Sequence, residues 1–216
     1  MGTTLARALL CLSFTCIGCA STGMIHGTVS TRPPTESSPS PEAHADPALV
    51  RGSVVDAVVY IEDLHSRVES GFNAAHGSSR LELKDQTLRP RILVVPVGTS
   101  VGFANHDSLF HNIFSVSPAK PFNLGRIGRG ESKRVTFDKP GLINVYCSLH
   151  PNMAAYILVV PNHAFTRPDS LGRFVLPTLP KGHYVVNVWH PDFPAIRREV
   201  TISRGVRPEL LVKLGS

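Results

Sequence analysis

Within seven residues the chain places a thiol, an imidazole and a thioether: Cys147-Ser148-Leu149-His150-Pro151-Asn152-Met153, with His111-Asn112 further upstream. Thiolate and imidazole are donors that copper accepts in both of its common oxidation states. A trigonal set of one Cys and two His with a weak axial Met suits either state, so little rearrangement accompanies the loss or gain of an electron. Such a set needs rigid support. Leu142-Ile143-Asn144-Val145-Tyr146 reads as a strand running into Cys147, and Tyr156-Ile157-Leu158-Val159-Val160 as a strand running out of Met153. Three of the donors would then share one short loop at the end of a β-sandwich.

The Cys-x-x-His-Pro-x-Met spacing of Cys147, His150, Pro151 and Met153 resembles the ligand loop of the amicyanin group of cupredoxins, in which an upstream His-Asn pair supplies the first histidine. The resemblance implies one copper ion as cofactor, with His111, Cys147 and His150 in its plane and Met153 axial. It also implies that Asn112 ties the two ligand loops together with Ser148 at the partner position, because ligating side chains are oriented by hydrogen-bonded neighbours. The chain departs from the amicyanin pattern at Leu149, where a proline is expected, and at Ala154-Ala155. The match spans residues 51–160. The remainder resembles plastocyanin-like bacterial proteins of the methylamine-utilisation type, in which a second β-domain accompanies the copper loop. Taken singly, each donor has a plainer reading, a buried Cys as a small hydrophobe and a Met as core filling.

The 216 residues hold 18 Pro and 17 Gly among Val-rich runs and show no long helical periodicity, which predicts an all-β chain rich in turns. Arg7 followed by the apolar run Ala8 to Ile17 is too short to span a bilayer but fits the core of a secretory signal. Residues 1–19 are therefore expected to direct export to the periplasm or cell envelope. Cys16-Ile17-Gly18-Cys19 resembles a bacterial lipobox with Cys16 where leucine is usual. Cys19 then either carries a lipid tether to the membrane or is removed by cleavage near Ala20. Cys11, Cys16 and Cys19 all fall within this leader, so Cys147 is the one thiol expected in the mature body, where it has no partner for a disulfide. Residues 20–50, rich in Ser, Thr and Pro, read as a tether with too few apolar groups for a core.

The net charge of +6 thickens at Arg126, Arg129, Lys133 and Arg134. This is either a solvated hairpin or a docking face for an acidic redox partner. Export and the lack of any recognition motif argue against nucleic acid.

Along the body, Val54 to Glu62 reads as a strand and Leu64 to Pro90 as a polar insertion. Ile92 to Val95 and Ser100 to Ala104 read as strands around the turn Pro96-Val97-Gly98-Thr99, an order that resembles the cupredoxin Greek key. Asp138-Lys139-Pro140-Gly141 is a turn signal before the strand leading to Cys147. His106 rivals His111 as the upstream donor. His111 is preferred because the β-like run Ile113-Phe114-Ser115-Val116 follows it, whereas His106 sits in the polar turn Asn105-His106-Asp107. His26, His44, His65, His76, His163, His183 and His190 lack partners at ligand spacing.

Residues 161–216 change pattern. Asp169 to Phe174 and Pro180 to Tyr184 resemble the Asp-x-x-Gly-x-Phe and Pro-x-Gly-x-Tyr signals of carboxypeptidase regulatory-like modules, small transthyretin-like β-sandwiches without catalytic residues. A module of about 55 residues is marginal alone, so packing against the first domain is expected, with Gly52 to Val59 a candidate for its first strand.

The expected molecule is thus an exported all-β pair, a Greek-key cupredoxin sandwich packed with a small transthyretin-like sandwich. Its expected work is to carry single electrons between redox partner proteins rather than to catalyse oxygen chemistry, since no His-x-His pair exists to build a trinuclear copper centre. Leu109, Phe110, Pro151 and Asn152 are candidate rim residues around His150. Two other classes stay open: a copper-handling protein using the same donors, and an envelope interaction module whose site is vestigial.

Overall fold

The structure is a computed structural model that describes residues 22–31, 52–64, 68, 72 and 79–215. The signal and lipobox at residues 1–19, and the part of the expected tether from 32 to 50, lie outside the described residues.

Two β-sandwiches account for nearly all the strands. In the first, a four-stranded sheet in the order Ser132–Phe137, Thr99–Asn105, Arg80–Lys84, Thr87–Arg89 faces a five-stranded sheet in the order Ile92–Pro96, Ala154–Val160, Gly141–Cys147, His111–Ser115, Phe122–Ile127. Most pairs are antiparallel. Crossovers make Ala154–Val160 parallel to Ile92–Pro96 and Arg80–Lys84 parallel to Thr99–Asn105. Period-two alternation supplies the core: Ile143, Val145 and Cys147 turn inward from one strand, Leu81 and Leu83 from another, to meet Phe103, Phe137, Ile113, Ile127 and Met153. The all-β, packed-sandwich expectation holds.

The second sandwich stacks the sheet Phe165–Thr166, Val58–Ile61, Gly182–His190, Phe193–Ile202 on the sheet Arg173–Val175, His26–Thr31, Glu209–Leu214. Its two sequence signals are structural devices. Asp169 Oδ1 accepts the N–H groups of Leu171 and Arg173, both at 2.9 Å, and the Gly172 N–H returns to the Asp169 carbonyl at 2.9 Å. Gly172 sits at φ +78 with Val29 O only 2.0 Å from where a Cβ would be, so the turn can press onto the neighbouring strand only without a side chain. Phe174 then enters the core. Tyr184 Oη donates to Pro180 O at 2.8 Å, which braces the corner where the chain turns into the long strand.

Three segmental expectations need correction. Residues 20–50 are not tether throughout: Thr22–Gly23 and His26–Thr31 are strands, because Ile25 and Val29 drop into the second core while His26, Thr28 and Ser30 on the other face made the segment read as polar. The first sandwich does not own all of 51–160, since Val58–Ile61 belongs to the second, as considered for Gly52 to Val59. Nor is Leu64 to Pro90 all insertion: Arg80–Lys84 and Thr87–Arg89 form a hairpin whose Leu81, Leu83 and Leu88 are core residues.

The sandwiches meet along an apolar seam. Val58, Phe165 and Trp189 of the second pack on Ile92, Val94, Leu158 and Val160 of the first, with Tyr156 edge-on to Trp189 at 6.1 Å. Polar contacts frame it, including Arg91 to Asp56 at 3.0 Å and Arg167 Nη2 to Val55 O at 2.8 Å.

Gly172→Ala is expected to cost at least ~2 kcal/mol through backbone strain plus displacement of Val29, whereas Gly205→Ala, at φ +76 with nothing within 4 Å, carries the strain alone at ~1 kcal/mol. Urea unfolding of both variants is the check, and equal midpoints would show that the close approach to Val29 carries no weight.

Candidate metal centre

Strand Gly141–Cys147 and strand Ala154–Val160 pair in antiparallel register down to Tyr146 opposite Ala154, so residues 147–153 form the connection. The connection is tied internally. Cys147 N–H donates to Met153 O at 3.1 Å, and Met153 N–H donates to His150 O at 3.1 Å. On the other side Cys147 lies opposite Ile113, which brings His111 alongside as the first inward-facing residue of its strand. Ser148 N–H donates to Asn112 O at 2.9 Å and laces the two segments together.

Three donor atoms converge here. Cys147 Sγ is 3.8 Å from His111 Nδ1 and 3.7 Å from His150 Nδ1, and the ligand atoms of the trio lie within 4.8 Å of one another. Their rings are tilted by 56° with centroids 4.7 Å apart. A metal–thiolate bond of about 2.3 Å and a metal–imidazole bond of about 2.0 Å meeting at about 120° separate sulfur from nitrogen by about 3.7 Å. The two observed sulfur–nitrogen separations therefore fit one shared ion in a near-trigonal arrangement. His111, Cys147 and Met153 are buried, while His150 is half-buried. Met153 belongs to the same core cluster as Cys147, and its backbone is bonded to both Cys147 and His150.

Of the two upstream histidines, His111 joins the group; His106 is exposed and stands outside it. The expected link between Asn112 and Ser148 takes a different form. Asn112 lies on the outward side of its strand, because its neighbours His111 and Ile113 face in, and its Oδ1 is buried without a hydrogen-bond partner. Ser148 is exposed, and the loops are joined through main-chain groups instead.

Two residues that spacing did not single out hold the His111 loop. Asn105, buried, donates from Nδ2 to Leu109 O at 2.8 Å and to Ile127 O at 3.0 Å, while its Oδ1 accepts the Asp107 N–H at 2.9 Å. Asp107 Oδ2 lies 2.9 Å from His111 Nε2. A carboxylate can only accept, so this contact calls for a proton on Nε2. Burial pushes the Asp107 carboxyl up, but hydrogen bonds from the Gln86 and Asp85 N–H groups and from His111 outweigh it and hold it below the ordinary range. The signal for Asp107 was its position four residues before His111, which on a turn is no stronger than a local polar contact.

The residues expected to form a rim, Leu109, Phe110, Pro151 and Asn152, are all exposed, as is Leu149, and His150 itself is half-buried. Arg126 lies over the Phe110 ring at 4.3 Å. The basic segment is no hairpin, since Phe122–Ile127 and Ser132–Phe137 belong to opposite sheets; Lys133 donates to Leu124 O at 2.6 Å and Arg126 O at 3.0 Å, which leaves Arg126, Arg129 and Arg134 as its exposed cations.

No protein-family model and no curated protein matches the chain. Among solved structures it is similar to a copper-containing nitrite reductase from Thermus scotoductus SA-01, at 30% identity over 43% of this chain and 25% of that one, TM-score 0.38. It spans a quarter of that enzyme's length. A purple cupredoxin from Nitrosopumilus maritimus is 28% identical over 37% of this chain and 97% of its own, TM-score 0.34. An amicyanin variant is 20% identical over 48% of this chain and 98% of its own, TM-score 0.36. These overlaps cover less than half of the chain, so the functional reading rests on the residues themselves.

Asn105→Ala strips partners from two main-chain carbonyls and from the Asp107 N–H, and is expected to cost about 1–3 kcal/mol. Chemical denaturation measures the loss. Hydrogen exchange at Asp107 locates it, and unchanged protection there would remove Asn105 as the organiser of this loop.

Proposed function

We propose that this chain is an exported electron carrier with one type 1 copper site, its ligands His111, Cys147 and His150 in the trigonal plane and Met153 axial. The observation that carries the reading is the convergence of one thiol sulfur and two imidazole Nδ1 atoms at separations that suit a single ion. Buried Met153, bonded through its main chain to both Cys147 and His150, supports the axial assignment. Copper, when bound, supplies a one-electron couple with little rearrangement. The protein's part is to hold the donors still: strand pairing fixes Cys147 and His111, and the tied loop fixes His150. The apolar rim of Leu109, Phe110 and Leu149 sheds water where a redox partner protein would approach the edge of His150.

No helix among the described residues is long and apolar enough to cross a membrane. Export to the periplasm or envelope, with or without a lipid on Cys19, follows from the leader read at residues 1–19. The second sandwich, read as a carboxypeptidase regulatory-like module, would serve as a rigid companion to the carrier.

Absorption and spin-resonance spectra of the copper-loaded protein decide between carrier and copper-handling protein. An intense visible thiolate-to-copper band with a type 1 cupric signal supports the carrier; tight cuprous binding without colour supports handling. Cys147→Ser is expected to abolish the band, and undiminished colour would remove Cys147 from the site. Met153→Gln is expected to keep copper and lower the reduction potential, because a harder axial oxygen favours the oxidised ion. A potential that stays put or rises in voltammetry would place the axial ligand elsewhere.

A further inference from the structure

We propose that Asp107 is the positioning residue of the metal centre, and that through it the hairpin turn at Asp85-Gln86 sets which nitrogen His111 presents and how strongly that nitrogen donates. This inference rests on the proposed metal site.

Three donors converge on the Asp107 carboxylate: Asp85 N–H at 2.7 Å on Oδ1, and on Oδ2 both Gln86 N–H at 3.0 Å and His111 Nε2 at 2.9 Å. The Asp85-Gln86 turn supplies two of these donors. It is a two-residue connection closed by Lys84 opposite Thr87, and both central residues have positive φ, 54 and 53. Such a turn suits the twist of a hairpin but ordinarily uses Asn-Gly or Asp-Gly, and Gln at positive φ is strained. Here the strained conformation aims two successive N–H groups at one carboxylate, which keeps it in place and aligned. Asp107 is itself anchored by its own N–H on Asn105 Oδ1.

The consequence for His111 is chemical. Its ring is fully buried, so only neighbouring protein groups choose its tautomer. A carboxylate can only accept, so it selects the Nε2–H form, leaves Nδ1 unprotonated and faces that lone pair toward Cys147. A ligating imidazole whose far N–H is held by a carboxylate is also a stronger donor than one held by a neutral group, which favours the more highly charged oxidation state of the metal. The hairpin Arg80–Arg89, which supplies none of the three donors, would thus tune the centre from the opposite sheet.

The test uses the full chain and Asp107→Asn, which keeps the shape and one acceptor oxygen but loses the charge and gains an N–H donor able to turn toward Nε2. Copper affinity, measured by competition against a chelator, is expected to fall about 10–100-fold. The reduction potential is expected to rise. In the metal-free wild type, nitrogen-15 NMR of the histidines is expected to show His111 with its proton on Nε2 and slow to exchange, a pattern lost or inverted in the variant. Wild-type copper affinity and potential in Asp107→Asn, with unchanged His111 resonances, would overturn the proposal. Should the variant fail to fold, the wild-type spectrum alone decides, since a proton on Nδ1 of His111 contradicts the assignment. A wild-type protein that takes up no copper would sink the proposed carrier function, while the metal-free spectrum would still report whether Asp107 selects the tautomer.

Discussion

Every donor hangs from the register of strand Gly141–Cys147. It pairs with Ala154–Val160 on one side and with His111–Ser115 on the other, so its register sets both the position of Cys147 and the separation of the two donor segments. A slip of one residue would turn Ile143, Val145 and Cys147 out of the core and drive Asn144 and Tyr146 in. Burying each large aliphatic side chain is worth about 1.5–3 kcal/mol, so Ile143 and Val145, both fully buried, resist that slip far more strongly than the thiol could. The reactive group is held by the packing of its unreactive neighbours.

Support around the two histidines is unequal. His111 is enclosed, with Asp107 on its far nitrogen and Asn105 holding the loop behind. His150 is half-buried on a short connection whose other outer residues, Ser148, Leu149, Pro151 and Asn152, are exposed. In the proposed carrier this asymmetry separates two needs. A buried, clamped donor keeps the geometry constant while an accessible ring edge meets the partner.

The second sandwich is joined mainly by apolar contact. Arg91 and Asp56 are both partly open to solvent, and ion pairs of that kind contribute only about 0–1 kcal/mol. Trp189, Phe165 and Val58 cover Ile92, Val94 and Leu158 on the outer face of the five-stranded sheet, and this burial holds the halves together. The seam lies on the outer face of the sheet whose inner face carries Cys147 and His111, so the sheet is supported from both sides.

Residue chemistry and short spacing were legible in the chain alone: the donor types between Cys147 and Met153, the flanking alternation that made strands of 142–146 and 156–160, and the turn signals at Asp138 to Gly141 and Asp169 to Gly172. These depend on covalent distance and local backbone preference. Where the signal was faint, long-range pairing settled the matter. Arg80-Leu81-Glu82-Leu83-Lys84 alternates as a strand should, yet its charges made it read as insertion; Leu81 and Leu83 join Phe103 and Phe137 of their own sheet in the core shared with Ile113, Ile143 and Val145 of the facing one. His26–Thr31 is a strand because Glu209–Leu214, far along the chain, pairs with it in parallel. The preference for His111 over His106 was already legible in the β-like run that follows His111, but the main-chain form of the Asn112–Ser148 link and the reach of Asp107 from the Asp85-Gln86 turn to His111 were decided by tertiary structure. Each depends on which way a side chain points and what the opposite sheet brings to it, and residue order along a chain carries neither.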